Sequence, residues 1–297
     1  MDLESLRVFV KVAEQGSFTR AGEQLGMPKS RVSLRVKALE IEVGSRLLQR
    51  TTRAVRLTPD GEQFLARGRL LVDEADELAT MFQATSSLRG RVRIDLPIAF
   101  ARELVIPRLP DFLAQHPQID LVISATDRRV ELVREGFDCV LRIGSLADSG
   151  LGARRLGTLP MMNCASPSYL RKLGTPRSIA DLDRHQIVHY SLTLGGEEPA
   201  FEYRDGARWV TRPMRSVVTV NNTDAYRSAC VAGLGIIQVP RTGMKECLRL
   251  GQLVEVLPEL TCEPMPVSLV HDRGRGVPKR VRVVMSFLAQ AMEPAWG

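Results

Sequence analysis

The chain has 297 residues, 44% hydrophobic and 25% charged, which is too long for one ordinary core and suits two or three domains. It shows no run of eighteen apolar residues and no basic-then-apolar leader, so neither a membrane span nor a secretory signal is expected and a cytoplasmic protein is predicted. The net charge is +7 and the pI about 9.5, and between Met1 and Thr58 eleven Lys or Arg stand against six Asp or Glu. That local surplus of five is a footprint for a polyanion, with an attraction that falls with salt.

Asp2 is placed to cap a first helix in which Leu3, Leu6, Phe9, Val10 and Ala13 recur at spacings of three and four. Gly16 stops it, and Ser17 caps a second, short helix that buries Phe18, Ala21 and Leu25 and ends at Gly26. After the turn Gly26-Met27-Pro28, a third helix runs from Lys29 to Val43 with Val32, Val36 and Leu39 at core spacing. Its other face presents Lys29, Ser30, Arg31, Ser33, Leu34 and Lys37, side chains suited to base edges and phosphates in a major groove. Two short alternating segments, Arg46 to Arg50 and Ala54 to Leu57, then predict a hairpin wing. Arg50, Thr52 and Arg53 at its tip are candidates for phosphate or minor-groove contact.

Thr58 followed by Pro59 starts a long helix, free of proline to about Ser87, with Phe64, Leu65, Leu71, Val72, Ala75, Leu78 and Phe82 as its apolar stripe. Roughly thirty helical residues span about 45 Å, too long for a small domain's core, so the stripe calls for a partner. Pairing with the same helix of a second copy suits two-fold DNA sites. Ser86 to Gly90 is a small-residue hinge.

From Arg91 onward strands alternate with helices, the pattern of an α/β domain with a parallel sheet. Strands are expected at Arg91 to Asp95, Ile119 to Ser124, Cys139 to Ile143, Met161 to Ala165, Ile187 to Tyr190, Val217 to Val220, Gly235 to Val239 and Val267 to His271. A hairpin is expected of Phe201 to Tyr203 with Arg208 to Val210, and helices at Arg102 to Gln115, Arg129 to Glu135, Asp224 to Ala232 and Lys279 to Ala291. Open sheets bind ligands at the carboxyl ends of strands. That points to Pro97, Ile98, Ala99, Phe100, Thr126, Arg142 and Ile143, and to Asn221, Asn222 and Thr223 at a helix entry. Two readings stand for each group. Pro97, Ile98 and Phe100 pack or touch a ligand, Thr126 and Asn221 cap or bind, and His189 and Tyr190 line the cleft or fill a core. Arg142 pairs with a carboxylate either of the protein or of an organic anion.

The run of Phe9, Gly16-Ser17-Phe18-Thr19, Leu25, Val32-Ser33, Leu39-Glu40, Gly44, Leu47-Leu48, Arg50, Arg53 and Leu57-Thr58-Pro59 resembles the LysR-type transcriptional regulators over some fifty residues. The resemblance implies a winged helix-turn-helix at 1–58, a linker and dimerisation helix with hinge at 59–90, and a two-lobed, periplasmic-binding-protein-like effector domain at 91–297. Lobe one is then 91–162 with 267–297 and lobe two 163–266, and Ala232 to Ile236 looks like the second lobe. It also implies a homodimer or homotetramer on double-stranded promoter DNA, a small-molecule effector in the cleft, and RNA polymerase as a further partner. This chain has Pro28-Lys29-Ser30 where many members have Ser-Gln-Pro, and Gly22 where a second alanine is usual, so Lys29 becomes the candidate base reader.

No G-x-S-x-G, Walker A or dinucleotide fingerprint occurs, and the four histidines lack catalytic neighbours, so neither an enzyme nor a cofactor is expected. Cys139, Cys164, Cys230, Cys247 and Cys262 form no C-x-x-C pair and are expected as reduced, mostly buried thiols without metal. A transport solute-binding protein shares the two-lobed fold but has no use for a helix-turn-helix. A nucleoid protein would bind DNA without any effector.

Overall fold

The structure is a computed structural model that describes residues 2–50, 55–80, 88–146, 150–193, 196, 198–272 and 276–296; the side chains of Arg50, Asp73, Glu74, Glu77, Ala79 and Thr80 lie outside the description. Contacts divide the chain into two units, Met1–Gly90 with Glu131–Asp138, and Arg91–Val130 with Cys139–Gly297.

The first unit opens with α1 (Leu3–Gln15), capped by Asp2, whose Oδ1 accepts from the Ser5 amide at 2.7 Å and whose Oδ2 accepts from the Ser5 hydroxyl at 2.6 Å. Ser17 caps α2 (Phe18–Leu25), and Gly26 ends it in the left-handed conformation with φ 62°. α3 is Lys29–Val43, as the spacing predicts. Val32, Val36 and Leu39 are fully buried with Val8, Phe9, Val12 and Ala21, each large side chain contributing about 2 kcal/mol by leaving water. Val8 and Val12 widen the α1 stripe beyond its expected face, because α1 is enclosed on more than one side. The close approach expected at Ala21 is tighter at Gly22, where a Cβ would stand 2.5 Å from the Met27 carbonyl oxygen. The turn before α3 therefore sits where a second alanine would collide.

The wing is β1 (Leu48–Arg50) paired antiparallel with β2 (Val55–Leu57), Leu48 opposite Leu57. α4 (Pro59–Thr80) begins with Thr58 accepting from the Gly61 amide at 2.9 Å. Ala54, Phe82 and the hinge residues Ser86 and Ser87 lie outside the described residues. The first half of α4 packs on α1, with Phe64 meeting Phe9 edge-on at 5.5 Å and Gly68 against Leu6. Arg69 pairs with Glu14 at 3.5 Å and Arg7 pairs with Asp76. The stripe read as one face is thus divided, with Phe64, Leu65 and Val72 serving this core and Leu71 and Leu78 exposed.

Among its described residues the second unit holds a five-stranded sheet, a three-stranded sheet and two strand pairs, one of them the expected hairpin, with Phe201 opposite Arg212 and Tyr203 opposite Val210. Its elements begin with β3 (Gly90–Leu96), α5 (Ile98–Phe100), α6 (Leu109–Gln115) and β4 (Ile119–Ala125), and, beyond α7 (Leu132–Glu135), which groups with the first unit, continue with β5 (Cys139–Ile143), β6 (Gly152–Leu159) and β7 (Met161–Ala165). There follow α8 (Pro167–Leu173), β8 (Gln186–Tyr190), β9 (Ala200–Asp205), β10 (Arg208–Pro213) and β11 (Arg215–Val220). The chain closes with α9 (Thr223–Val231), β12 (Ile237–Pro240), α10 (Lys245–Arg249), β13 (Val254–Glu255), β14 (Met265–His271) and α11 (Lys279–Ala291).

The first sheet has the order β4-β3-β5-β14-β6, with β3 parallel to β5 and β14 antiparallel to both β5 and β6. The expected parallel sheet is a mixed one: β6 leaves for the second sheet and β14 returns from it, so β14 runs against its neighbours. The second sheet joins β12-β7-β13, and β8, paired in parallel with β11, adds to it through the bridge of Ile187 and Ile236. The strands change sheet at Pro160, between β6 and β7, and again before Met265.

The helix expected from Arg102 to Gln115 is broken. Pro107 and Pro110 lack N–H groups and crowd the carbonyls four residues back, and the chain passes through a π-turn at Ala101–Val105 and a 3-10 turn at Ile106–Arg108 before α6. The helix expected from Arg129 shortens to the single turn of α7.

Candidate nucleic-acid interface and effector cleft

Each buried position of α3 fixes the opposite face outward. Lys29, Ser30, Arg31, Leu34 and Lys37 are exposed, Ser33 is half-buried, and Leu34 stands 67% exposed between the two lysines. A leucine so exposed on a cationic helix is costly as mere surface and fits an apolar contact such as a thymine methyl. Arg35, one residue on, is not part of this face: it pairs with Glu4 at 2.6 Å and Asp2 at 3.5 Å, tying α3 to α1. At the other end, Glu40 accepts from the amides of Leu47 at 2.9 Å and Leu48 at 3.0 Å, and Thr58 donates to the Arg46 carbonyl at 2.7 Å. These bonds anchor the base of the wing to α3 and to α4. Glu40 and Thr58 are thus positioning residues that sequence reasoning assigned no such role, although a carboxylate one turn before the Gly44 stop was a legible cue. Arg50 ends β1, and Thr52 and Arg53 lie outside the described residues.

The strand ends of the second unit converge on a residue the sequence did not single out. Asp127, two positions beyond β4, accepts from the Ile98 amide at 3.1 Å through Oδ1 and from the Thr223 amide at 2.6 Å through Oδ2. Ile98 opens α5 beside the first sheet, and Thr223 is the first residue of α9 beside the second, so one carboxylate joins the two lobes. Tyr190 packs on Tyr226 with ring centroids 5.3 Å apart, and burial pushes its phenol pKa up, helped by the Asp127 charge. The Thr223 hydroxyl is buried and finds no hydrogen-bond partner among the described residues. Beside them Arg102 pairs with Asp224 and with Glu103 at 2.8 Å, and Arg227 lies 3.4 Å from Asp224 and 3.8 Å from Glu103.

Of the expected cleft residues, Ile98, Tyr190 and Thr223 gather at this junction. Pro97 and Phe100 are buried, and Ala99 and Ile143 are half-buried. Arg142 donates to the fully buried Asp95 at 3.2 Å and to the Val130 carbonyl at 2.8 Å, and Thr126 donates to the same Asp95. The protein's own carboxylate therefore holds Arg142, the first of the two partners the sequence left open. Burial raises the pKa of Asp95, against the opposing hydrogen bonds of Ser124, Arg142 and Thr126. Asn222 caps α9 by accepting from the Ala225 amide at 2.9 Å, while Asn221 is exposed. His189 is buried on the Ile187 side of β8, away from Val188 and Tyr190, and its Nε2 finds no partner among the described residues.

All five cysteines are free and buried. Burial pushes Cys164 and Cys262 up to about 12 and raises Cys230 too, so these thiols stay protonated and poorly nucleophilic. Among the described residues no helix is long and apolar enough to cross a membrane.

A winged helix-turn-helix displaying a cationic helix face, joined in one chain to a two-lobed α/β domain, defines a DNA-binding regulator that answers to a ligand. The chain belongs to the LysR family of bacterial transcriptional regulators. Residues 3–62 match the bacterial regulatory helix-turn-helix protein, lysR family, and residues 85–293 match the LysR substrate binding domain. The HTH-type transcriptional regulator YhjC of Escherichia coli K12 is 43% identical over 294 residues, 98% of each chain. An HTH-type transcriptional repressor of Pseudomonas aeruginosa is 38% identical, covering 97% of this chain and 91% of that protein. The solved structure of CrgA, a LysR-type transcriptional regulator from Neisseria meningitidis, matches with a TM-score of 0.62 at 32% identity over 99% of both chains.

Proposed function

We propose that this regulator reads a pseudo-palindromic promoter site as a homodimer, or a tetramer built of two, with α3 in the major groove and the wing on the adjacent backbone. It acts in the cytoplasm, where that DNA is, without catalysis. The observation that carries the reading is the α3 face, with Leu34 exposed between Lys29 and Lys37 while Val32, Val36 and Leu39 are fixed in the core. Lys29, Ser30 and Ser33 touch base edges or nearby phosphates, and Arg31, Lys37, Arg50, Thr52 and Arg53 hold the backbone. A small molecule at the junction of the lobes biases one arrangement of the subunits over another, and with it the bend of the DNA and its presentation to RNA polymerase. The domain limits 1–58, 59–90 and 91–297 are part of this proposal.

The test is a mobility-shift series against single-base variants of the bound site. Lys29→Ala and Ser33→Ala should flatten the discrimination between variants by about 1–3 kcal/mol at the positions they read, whereas Arg53→Ala should weaken binding to every variant alike. Unaltered discrimination in both α3 variants contradicts the assignment of α3 as the reader.

A further inference from the structure

A ligand-binding cleft between lobes commonly offers an incoming anion the amides at a helix N-terminus. Here that place is taken. Asp127 puts one carboxylate oxygen on the first amide of α9 and the other on the amide that opens α5. α9 has nine residues, and its N-terminal dipole favours negative charge at this point. Arg102 and Arg227 are engaged with Asp224 and Glu103, and Arg142 with Asp95.

We propose that Asp127 is a specificity-determining residue of the cleft: its carboxylate is the built-in anion at the junction of the lobes, and it bars an external carboxylate from that position. The inference deepens the reading that the effector binds between the lobes, and it narrows the effector's chemistry. A molecule that leaves Asp127 in place must approach it with hydrogen-bond donors, a neutral or cationic polar group that also meets Tyr190 and the Thr223 hydroxyl, which has no partner among the described residues. A carboxylate enters only by displacing Asp127, which breaks the bond between lobes. The neighbouring ion pairs are partly exposed and each is worth little in water, so Asp127 with its two amides is the stronger tie.

The experiment is thermal melting of the full chain, without DNA or effector, in sodium formate or acetate and in sodium chloride at matched ionic strength. Asp127→Ala should lower Tm by roughly 5 °C, and formate or acetate should restore part of that loss in this variant while leaving the native protein at its chloride value. Asp127→Asn fills the same space but offers only one accepting oxygen, so it should melt below the native protein and show no carboxylate response. It stands as the check should the alanine variant fail to fold. If Asp127→Asn melts with the native protein, or if formate stabilises native and Asp127→Ala proteins equally, the assignment is overturned. A failure here leaves DNA recognition by α3 untouched, since no DNA is present; loss of DNA discrimination, conversely, would not alter these melting curves.

Discussion

The sequence left Arg142 two partners, a carboxylate of the protein or of an organic anion; its guanidinium is held by Asp95 and the Val130 carbonyl, and the carboxylate that meets both Ile98 and Thr223 is that of Asp127. The difference is one of distance in sequence. Asp127 meets Thr223 ninety-six positions away, a pairing no local pattern encodes. Another long-range polar contact carries a pH signature. His185 is buried 3.1 Å from the Tyr169 hydroxyl, and burial lowers its pKa below the ordinary 6.5. As pH falls through about 6.5 the unfolded chain takes the proton first, so this group's contribution to stability is present at neutral pH and is lost on acidification. Melting temperature should fall between about pH 7 and pH 5, and His185→Asn should flatten that slope; an unchanged slope in the variant assigns the acid sensitivity elsewhere.

At the scale of elements, legibility followed the strength of local signals. α1, α2, α3 and α11 have the bounds that caps and spacing predict, because Asp2, Ser17, Gly16, Gly26 and Gly44 punctuate the chain where it turns. β6 was missed. No strand was expected between Ile143 and Met161, yet β6 is a sheet edge, and the rings of His271 and Trp296 lie where Cβ atoms at Gly152 and Gly157 would stand. α8 was missed although Ser166-Pro167 is a sound start signal, with Ser166 accepting from the Tyr169 amide. In α4 the period was legible but its division was not, since the sequence cannot show that α1 covers Phe64, Leu65 and Val72. Leu78 remains 67% exposed and Leu71 39% exposed on this helix, the surface that the proposed pairing would bury. Leu71→Glu with Leu78→Glu should therefore convert the protein to monomer in gel filtration at micromolar concentration, with helical content kept; a native elution volume contradicts pairing through α4.

For the whole molecule, the account rests on two units of different physics. One is a small helical core that fixes the exposed face of α3, and the other a set of sheets whose strand ends are joined through the Asp127 carboxylate. The helix-turn-helix was legible nearly to the residue, because caps, glycines and a three-four spacing all agree there. The junction between the sheets was legible only as a set of strand ends, and Asp127, which bridges Ile98 and Thr223 there, was not. The most direct test of the central claim, that α3 reads sequence as one of a symmetric pair, is selection of duplexes from a random pool by the full-length protein. The account predicts an enriched motif of two inverted half-sites with centres about 10 base pairs apart. Retention of duplexes with no shared sequence, or of a lone half-site, would contradict it.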